Sequence, residues 1–285
     1  MKYTVRTLVA VGAAGIALSV TGASASPVLF GDYYRLGEND PGAGPGNLGN
    51  ATTVDSGLWQ LDLTRSGTPT YSADTAARAV GSKLSMSFVN NSAIVGPTGP
   101  SYYSRSSATA ATLLQAGYGL ETWVKTSTLT PDDASGYAVI AAVGDPFGSG
   151  FGILQHGGDY VVRVGKDENV LTSASTTIWT HLAYVRTFNT DDFFVNGELV
   201  GETTLGTAAV TSADTFALAA DVFDAQHPDL FNGLIDETRL FTDNPMAAGA
   251  FNPAADFLIT PVPEPSVVLI VGCAVLLVAR RRTRL

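Results

Sequence analysis

The stretch from Ile178 to Thr203 has the pattern of two strands joined by a tight turn. At the turn stands Asn196-Gly197, the dipeptide that best tolerates the positive φ angles of a type I′ turn. Apolar runs on both sides make this pair the strongest short-range signal for a β-hairpin. Strand side chains alternate with a period of two, so Val195 is expected to face Glu198 across the turn. The stretch therefore predicts the centre of a β-sandwich.

Short alternating segments of the same kind recur along the chain and are separated by turn residues. The clearest lie at 84–89, 120–125, 137–143, 150–154, 160–164, 215–219 and 231–241. Their short connections require antiparallel pairing, because a parallel crossover needs about a dozen or more residues. No apolar repeat of 3.6 residues is sustained long enough here to predict a substantial helix. We therefore predict an all-β fold of two antiparallel sheets.

The alternation also predicts which side chains share a face. Trp179 and His181 share one face of their strand, and Phe194 is expected to pair with Leu199. We expect Trp179 and Phe194 to hold the two sheets together. His181 is interpreted as a packed strand histidine because apolar residues alternate with it.

The last strand carries carboxylates on both of its expected faces. One face holds Leu234, Asp236, Thr238 and Leu240, opposite Ile235, Glu237, Arg239 and Phe241. A carboxylate beside apolar residues is costly to bury without partners. We therefore expect at least one of the two carboxylates to be held by hydrogen bonds or a cation.

Charge and cysteine content exclude several classes of function. The chain has a formal net charge of -10, and between Ser26 and Val262 it has 25 acidic against 10 basic residues. Such a surface repels nucleic acid and anionic lipid, so we expect no nucleic-acid partner. The one cysteine, Cys273, lies in a C-terminal apolar run. This excludes a disulfide framework, and a cysteine nucleophile in the globular part.

The N-terminal end has the pattern of a secretory signal peptide. Basic residues precede an apolar run at 8–20, and Ala23-Ser24-Ala25 follows, as the small residues before a cleavage site do. We predict that residues 1–25 form a signal helix that is removed between Ala25 and Ser26. The rest of the chain is then exported.

Taken in order, the strand segments resemble the laminin G-like, concanavalin A-type jelly-roll family found in many bacterial surface proteins. The resemblance is carried by residues 34–38, 120–125, 179–185, 194–197 and 231–241. It covers 28–242 as one domain, which leaves 243–262 as a linker. The resemblance implies a jelly-roll sandwich of two antiparallel sheets with adjacent first and last strands.

The same resemblance implies a calcium site. In this fold a cation often ties the terminal strands together, and Asp236 stands where an aspartate ligand is expected, with Asp32 or Glu38 as a second carboxylate. Calcium prefers several oxygen ligands from carboxylates and carbonyls. The alternative is that Asp236 accepts backbone hydrogen bonds, because either arrangement satisfies a buried carboxylate.

The C-terminal end, 263–285, resembles the PEP-CTERM sorting signal that exosortase-type membrane enzymes process. Its parts are Pro263, Glu264 and Pro265, an apolar run at 267–279, and the cluster of Arg280, Arg281 and Arg282. The apolar run predicts a short membrane helix whose end the arginines hold at the cytoplasmic face. The resemblance implies an inner-membrane intermediate, followed by delivery to the cell surface or extracellular matrix. A plain tail anchor is the alternative.

Motifs for catalysis are absent from the sequence. It contains no E-x-D-x-E run of the jelly-roll glycosidases, no G-x-S-x-G elbow and no H-E-x-x-H. We therefore expect a non-catalytic protein that binds a glycan, such as a polysaccharide, or a surface protein. The alternatives are a structural or adhesive matrix component, and a divergent hydrolase whose carboxylates lie apart in sequence.

Aromatic residues in or beside loops are candidates for stacking on sugar rings. They are Tyr102, Tyr103, Phe147, Tyr160 and Phe223. Two loop histidines, His156 and His227, are also candidates for ligand contact. These side chains are scattered in sequence, so the sequence alone defines neither a site nor a ligand.

Overall fold

The described part of the chain covers most of the predicted domain. The computed structural model describes residues 29–79, 81–90, 99–106, 117–187, 190–204, 215–223, 228–242 and 256–259. The predicted signal peptide with its cleavage site, the sorting signal with its apolar run, and His227 lie outside these residues. No helix in the described part is long and apolar enough to cross a membrane.

Alternating side chains and short turns produce sixteen strands in the described part. They are β1 (Leu29–Tyr34), β2 (Thr52–Thr53), β3 (Leu63–Ser66), β4 (Thr70–Ser72), β5 (Ser85–Phe88), β6 (Tyr102–Ser106), β7 (Tyr118–Thr126), β8 (Tyr137–Val143), β9 (Phe151–His156), β10 (Asp159–Val164), β11 (Asp167–Ser173), β12 (Thr180–Arg186), β13 (Thr190–Val195), β14 (Glu198–Thr204), β15 (Thr215–Leu218) and β16 (Gly233–Thr242). Each of the seven segments singled out in the sequence overlaps one of these strands.

The strands form two sheets, which we name sheet A and sheet B. Sheet A has the order β14-β13-β12-β7-β16-β5-β4, and β1 also pairs with β16. Sheet B has the order β11-β10-β9-β8-β15-β6-β3-β2. Each strand ladder in the described part is antiparallel. The predicted antiparallel sandwich, with its first and last strands side by side, is confirmed.

The core lies between the two sheets. Sheet A contributes Leu120, Leu182 and Tyr184, whereas sheet B contributes Ile140, Phe151 and Tyr160, all of them fully buried. Rings from the two sheets meet there, with the centroids of Phe151 and Tyr184 5.3 Å apart. Burial of these apolar side chains stabilises the sandwich and fixes which face of each sheet points outward.

The predicted hairpin is confirmed. It joins β13 to β14, with Val195 opposite Glu198 and Phe194 opposite Leu199. Asn196 has a φ of 53° and Gly197 a φ of 85°, the positive values that a type I′ turn requires.

The prediction that Trp179 and Phe194 hold the two sheets together is wrong. Phe194 packs with Ala183 and Val185 in a cluster separate from the core, and Trp179 packs beside Trp123 in another. The alternate residues of β12 fill the core instead, so the hairpin's other face points out of the sandwich.

A β-bulge in β16 changes the predicted faces of the last strand. The pairing of β16 with β7 shifts between Asp236 and Arg239, and Glu237 has a φ of 44°. A bulge inserts an extra residue and so reverses the alternation beyond it. Ile235 and Leu240 consequently both face the core, although alternation alone predicts opposite faces.

Part of the predicted linker packs on the outer face of sheet A. Phe257 is 5% exposed and lies against Phe194, with 5.1 Å between the ring centroids. Both backbone polar groups of Leu258 are held by side chains of the sheet: its N–H donates to Glu121 at 3.1 Å, and its carbonyl accepts from Trp123 at 3.1 Å. Residues 256–259 therefore pack with the domain, beyond its predicted end at Thr242.

Candidate functional site

A cavity of about 540 Å³ opens on the outer face of sheet B. It is lined by Ser135, Tyr137, Asp145, Phe147, Asp221, Phe223 and Asp229. Outside the main core, Val139 and Leu154 belong to a small apolar cluster. Tyr137 and Phe147 pack on this cluster. The cavity therefore combines aromatic walls with several carboxylates, and we call it the Asp-x-Phe pocket after the two turns described next.

Two turns of the same design contribute both a carboxylate and a ring to this pocket. In each, the aspartate Oδ1 accepts a hydrogen bond from the backbone N–H two residues later, at 2.8 Å from Asp145 to Phe147 and at 2.8 Å from Asp221 to Phe223. This local bond is typical of an Asx turn. It fixes the carboxylate of each turn against the backbone of the phenylalanine two residues later.

The third ring, that of Tyr137, is held by hydrogen bonds and ring contacts. Its hydroxyl donates to Glu168 at 2.7 Å and accepts from Arg163 at 2.9 Å. The ring is stacked on His156, with 4.0 Å between centroids, and meets Phe147 edge to face at 5.1 Å. Tyr137 is thus positioned before any ligand arrives, which reduces the entropy that binding costs.

Asp229 stands at the inner side of the pocket in an unusual backbone conformation. Its φ is 40°, its carbonyl accepts from the N–H of Val139 at 2.7 Å, and its Oδ1 accepts from Ser135 at 2.6 Å. Burial, reinforced by the charges of Asp133 and Asp221, raises the pKa of Asp229 to about 6. The carboxylate therefore carries a charge at neutral pH that its surroundings disfavour.

The outer face of sheet A carries a second polar cluster of different character. Glu121 and His181 are fully buried and Arg239 is 1% exposed. Glu121 Oε2 lies 2.8 Å from His181 Nε2, and its other oxygen forms an ion pair with Arg239. Burial opposes ionisation, but the Arg239 guanidinium and the His181 bond hold the pKa of Glu121 below its ordinary value. Arg239 also donates to the carbonyl of Asp256, so the packed C-terminal segment covers the cluster.

The two carboxylates named for calcium lie on opposite faces of sheet A. Asp32 is directed between the sheets and pairs with Arg105 of β6. Asp236 lies opposite Trp123 on the outer face, where its Oδ2 accepts from Ser82 Oγ at 2.6 Å and from the Ala76 N–H at 3.2 Å. The structure therefore does not bring these two together.

The third carboxylate of that hypothesis, Glu38, accepts the backbone N–H groups of Lys83 and Leu84. Among the described residues, no group of three or more His, Cys, Asp or Glu side chains is arranged to hold a metal ion. The bond from the Ala76 N–H is of the kind that the alternative describes, in which Asp236 accepts backbone hydrogen bonds, and the bond from Ser82 is a side-chain bond.

The aromatic candidates separate into three groups. Phe147 and Phe223 meet at the Asp-x-Phe pocket, as their loop positions allow. Tyr103 and Tyr160 are wrong as candidates, because both are fully buried in the core. Tyr102 is half-buried against that core.

Both described histidines lie in strands. His156 ends β9 and is not in a loop, and its Nδ1 lies 2.9 Å from Glu168. His181 is packed in β12 as predicted.

Sequence reasoning missed five pocket residues: Ser135, Tyr137, Asp145, Asp221 and Asp229. The pattern Asp-x-Phe at 145–147 and 221–223 does not single them out, because it also occurs at 191–193, 192–194, 214–216 and 229–231. Each copy looks like an ordinary turn on its own. Only the fold brings the two turns to one cavity.

The two sheets, their antiparallel order and the adjacent terminal strands define a concanavalin A-like jelly-roll protein. A sequence profile of the laminin G type, described as the concanavalin A-like lectin/glucanases superfamily, matches residues 100–248. The chain belongs to this family. A comparison with curated proteins gives no match.

Solved structures with the same fold include both an enzyme-associated domain and toxin domains. Domain 4 of the extracellular arabinanase AbnA from Geobacillus stearothermophilus, in complex with arabinotriose, is 18% identical and has a TM-score of 0.52, covering 80% of this chain and 96% of that one. A botulinum neurotoxin type C structure, whose title concerns interaction with two ganglioside molecules, is 11% identical with a TM-score of 0.50 and 76% of this chain covered.

The serotype G neurotoxin binding domain is 9% identical with a TM-score of 0.51, and 76% of this chain is covered. This chain spans about half the length of these toxin chains, 48% in both cases. At such identities the likeness establishes the shared fold.

Proposed function

We propose that this protein is a non-catalytic carbohydrate-binding domain whose ligand occupies the Asp-x-Phe pocket. The observation that carries the proposal is the convergence of three aromatic rings and three aspartates on one cavity of about 540 Å³. Aromatic faces pack on the C–H faces of sugar rings, and carboxylates accept hydrogen bonds from sugar hydroxyl groups. The lectin-type family and the arabinotriose complex of the AbnA domain support the same choice.

The place of action in this proposal is outside the inner membrane. The predicted signal peptide at 1–25 and the sorting signal at 263–285 support export, followed by processing by an exosortase-type enzyme. Delivery to the cell surface or its polysaccharide matrix would place the pocket among glycans.

Replacing Phe223 with alanine is expected to weaken glycan binding about tenfold. The ring is 43% exposed, so its loss removes apolar contact with the ligand, worth roughly 1.5 kcal/mol, without opening the core. The measurement is a glycan array with the purified chain, followed by titration of the selected glycan. Leu58→Ala serves as the control, because Leu58 is 66% exposed and does not line the pocket.

The array also separates the alternative functions. Equal glycan binding by the Phe223→Ala and Leu58→Ala variants would place the ligand elsewhere on the protein. Failure to bind any glycan would favour the structural or adhesive role. Release of new reducing ends from a bound polysaccharide would favour the divergent hydrolase.

A further inference from the structure

The charged side chains in the described lining of the Asp-x-Phe pocket are all negative. Its described lining contains the carboxylates of Asp145, Asp221 and Asp229, and no lysine, arginine or histidine. Asp133 adds a fourth negative charge close enough to disfavour ionisation of Asp229. A ligand without positive charge leaves this repulsion in place, whereas a cation relieves it.

Two basic groups beside the aromatic walls are paired with a carboxylate that does not line the pocket. The Arg163 guanidinium carbon lies 5.1 Å from the Tyr137 ring centroid and 4.8 Å from that of Phe147. Arg163 and His156 both pair with Glu168, at 3.3 Å and 2.9 Å. The positive charge of Arg163 is therefore matched by Glu168, and the pocket keeps its own negative charge.

The aromatic walls, like the aspartates, favour a positively charged ligand. The faces of aromatic rings attract cations, and binding sites for ammonium groups commonly combine such rings with acidic residues. The contact of Arg163 with Tyr137 and Phe147 already shows a cation on these rings. Phe223, which is 43% exposed, offers a further ring beside Asp221.

We propose that the Asp-x-Phe pocket selects sugars that carry a free ammonium group, such as the de-N-acetylated amino sugars of a polysaccharide. The ammonium group is held by the pocket aspartates, and the sugar ring packs on Phe147 and Phe223. An N-acetylated sugar lacks the charge, and the carboxylate of a uronic acid is repelled. This inference rests on the proposed carbohydrate-binding function and names its ligand class.

The test compares oligomers of glucosamine with N-acetylglucosamine oligomers of the same length, by isothermal titration calorimetry with the full chain. We expect at least about tenfold tighter binding of the glucosamine oligomer, because hydrogen bonds to charged groups are the stronger ones. Added salt is expected to reduce the difference in affinity between the two oligomers, since salt screens the attraction between charges. Equal affinities, or tighter binding of the acetylated oligomer, would overturn the inference.

Two variants remove pocket charge while keeping the turns intact. Asp145→Asn and Asp221→Asn each retain a side-chain oxygen that accepts the phenylalanine N–H. Each is expected to weaken binding of the glucosamine oligomer about tenfold and to weaken binding of the N-acetylglucosamine oligomer less, so that the difference in affinity between the two oligomers becomes smaller. Asp167→Asn is the matched control, because Asp167 is exposed in β11 and lines a different cavity.

The outcomes distinguish this inference from the proposed function. Binding of neutral or acidic glycans alone, weakened by Phe223→Ala, would overturn the ammonium preference and leave the carbohydrate-binding function standing. Unchanged glucosamine binding in both aspartate variants would likewise overturn the inference. Failure to bind either oligomer or any arrayed glycan would reject both.

Discussion

Replacement of Glu121 with glutamine is expected to lower the free energy of unfolding by about 3–5 kcal/mol, because it removes one member of a buried ion pair. Glu121 is fully buried and its two oxygens hold Arg239, His181 and the N–H of Leu258. Glutamine has nearly the same size, so the change removes charge and not volume. Urea denaturation of the variant and the native chain measures the difference.

Glu198→Gln is the control for this experiment. Glu198 is an exposed glutamate beside the hairpin turn, and its replacement is expected to change stability by less than about 0.5 kcal/mol. A loss below about 1 kcal/mol for Glu121→Gln would contradict the role assigned to the buried cluster.

The stability of the protein is expected to depend on pH through the buried carboxyl of Asp236. Burial, together with the neighbouring charges of Glu237 and Glu38, raises the pKa of Asp236 from 3.8 to about 8. Its Oδ1 is buried without a hydrogen-bond partner among the described residues, which disfavours the charged form. The folded protein therefore keeps this carboxyl protonated at pH values where the unfolded chain has lost the proton.

The sign of the effect follows from this difference in proton binding. The contribution of Asp236 to stability is fully present below about pH 4 and is lost as the pH rises through about 8. Asp236→Asn stays neutral, so its stability relative to the native chain should rise between pH 4 and pH 9 by at least about 3 kcal/mol, at about 1.4 kcal/mol per pKa unit.

Denaturation curves at pH 4 and pH 9 measure this change, with Asp167→Asn as the exposed control. A difference between variant and native chain that does not vary with pH would contradict the raised pKa. Added calcium provides a further test at pH 9. Stabilisation of the native chain by calcium, absent from the variant, would show that Asp236 is ionised and binds the ion.

The sequence predicts the sandwich well because the relevant signals are local. Asn196-Gly197 sets its own turn, and the alternation within each segment depends on residues a few positions apart. The faces of β16 are mispredicted because the bulge at Glu237 reverses the alternation, and the sequence carries no clear sign of it. The hairpin's role is misassigned for a related reason: alternation shows two faces but does not show which one points into the core.

The candidate site is harder to predict because it is assembled from distant segments. Phe147 and Phe223 are separated by 76 positions and meet because the β8–β9 connection and the chain after β15 lie over the same face of sheet B. The aspartates of the two turns look like turn formers, which they also are. Their second role becomes visible only when both copies face one cavity.

Hydroxyl-radical footprinting of the protein with and without its array-selected glycan tests the central claim most directly. Oxidation of each aromatic side chain, measured by mass spectrometry, reports whether a ligand covers it. We predict that the glycan protects Phe147 and Phe223 and leaves Trp179, on the outer face of sheet A, unchanged. Protection of Trp179, or equal oxidation of Phe147 and Phe223 with and without a saturating glycan, would contradict the assignment of the Asp-x-Phe pocket as the carbohydrate site.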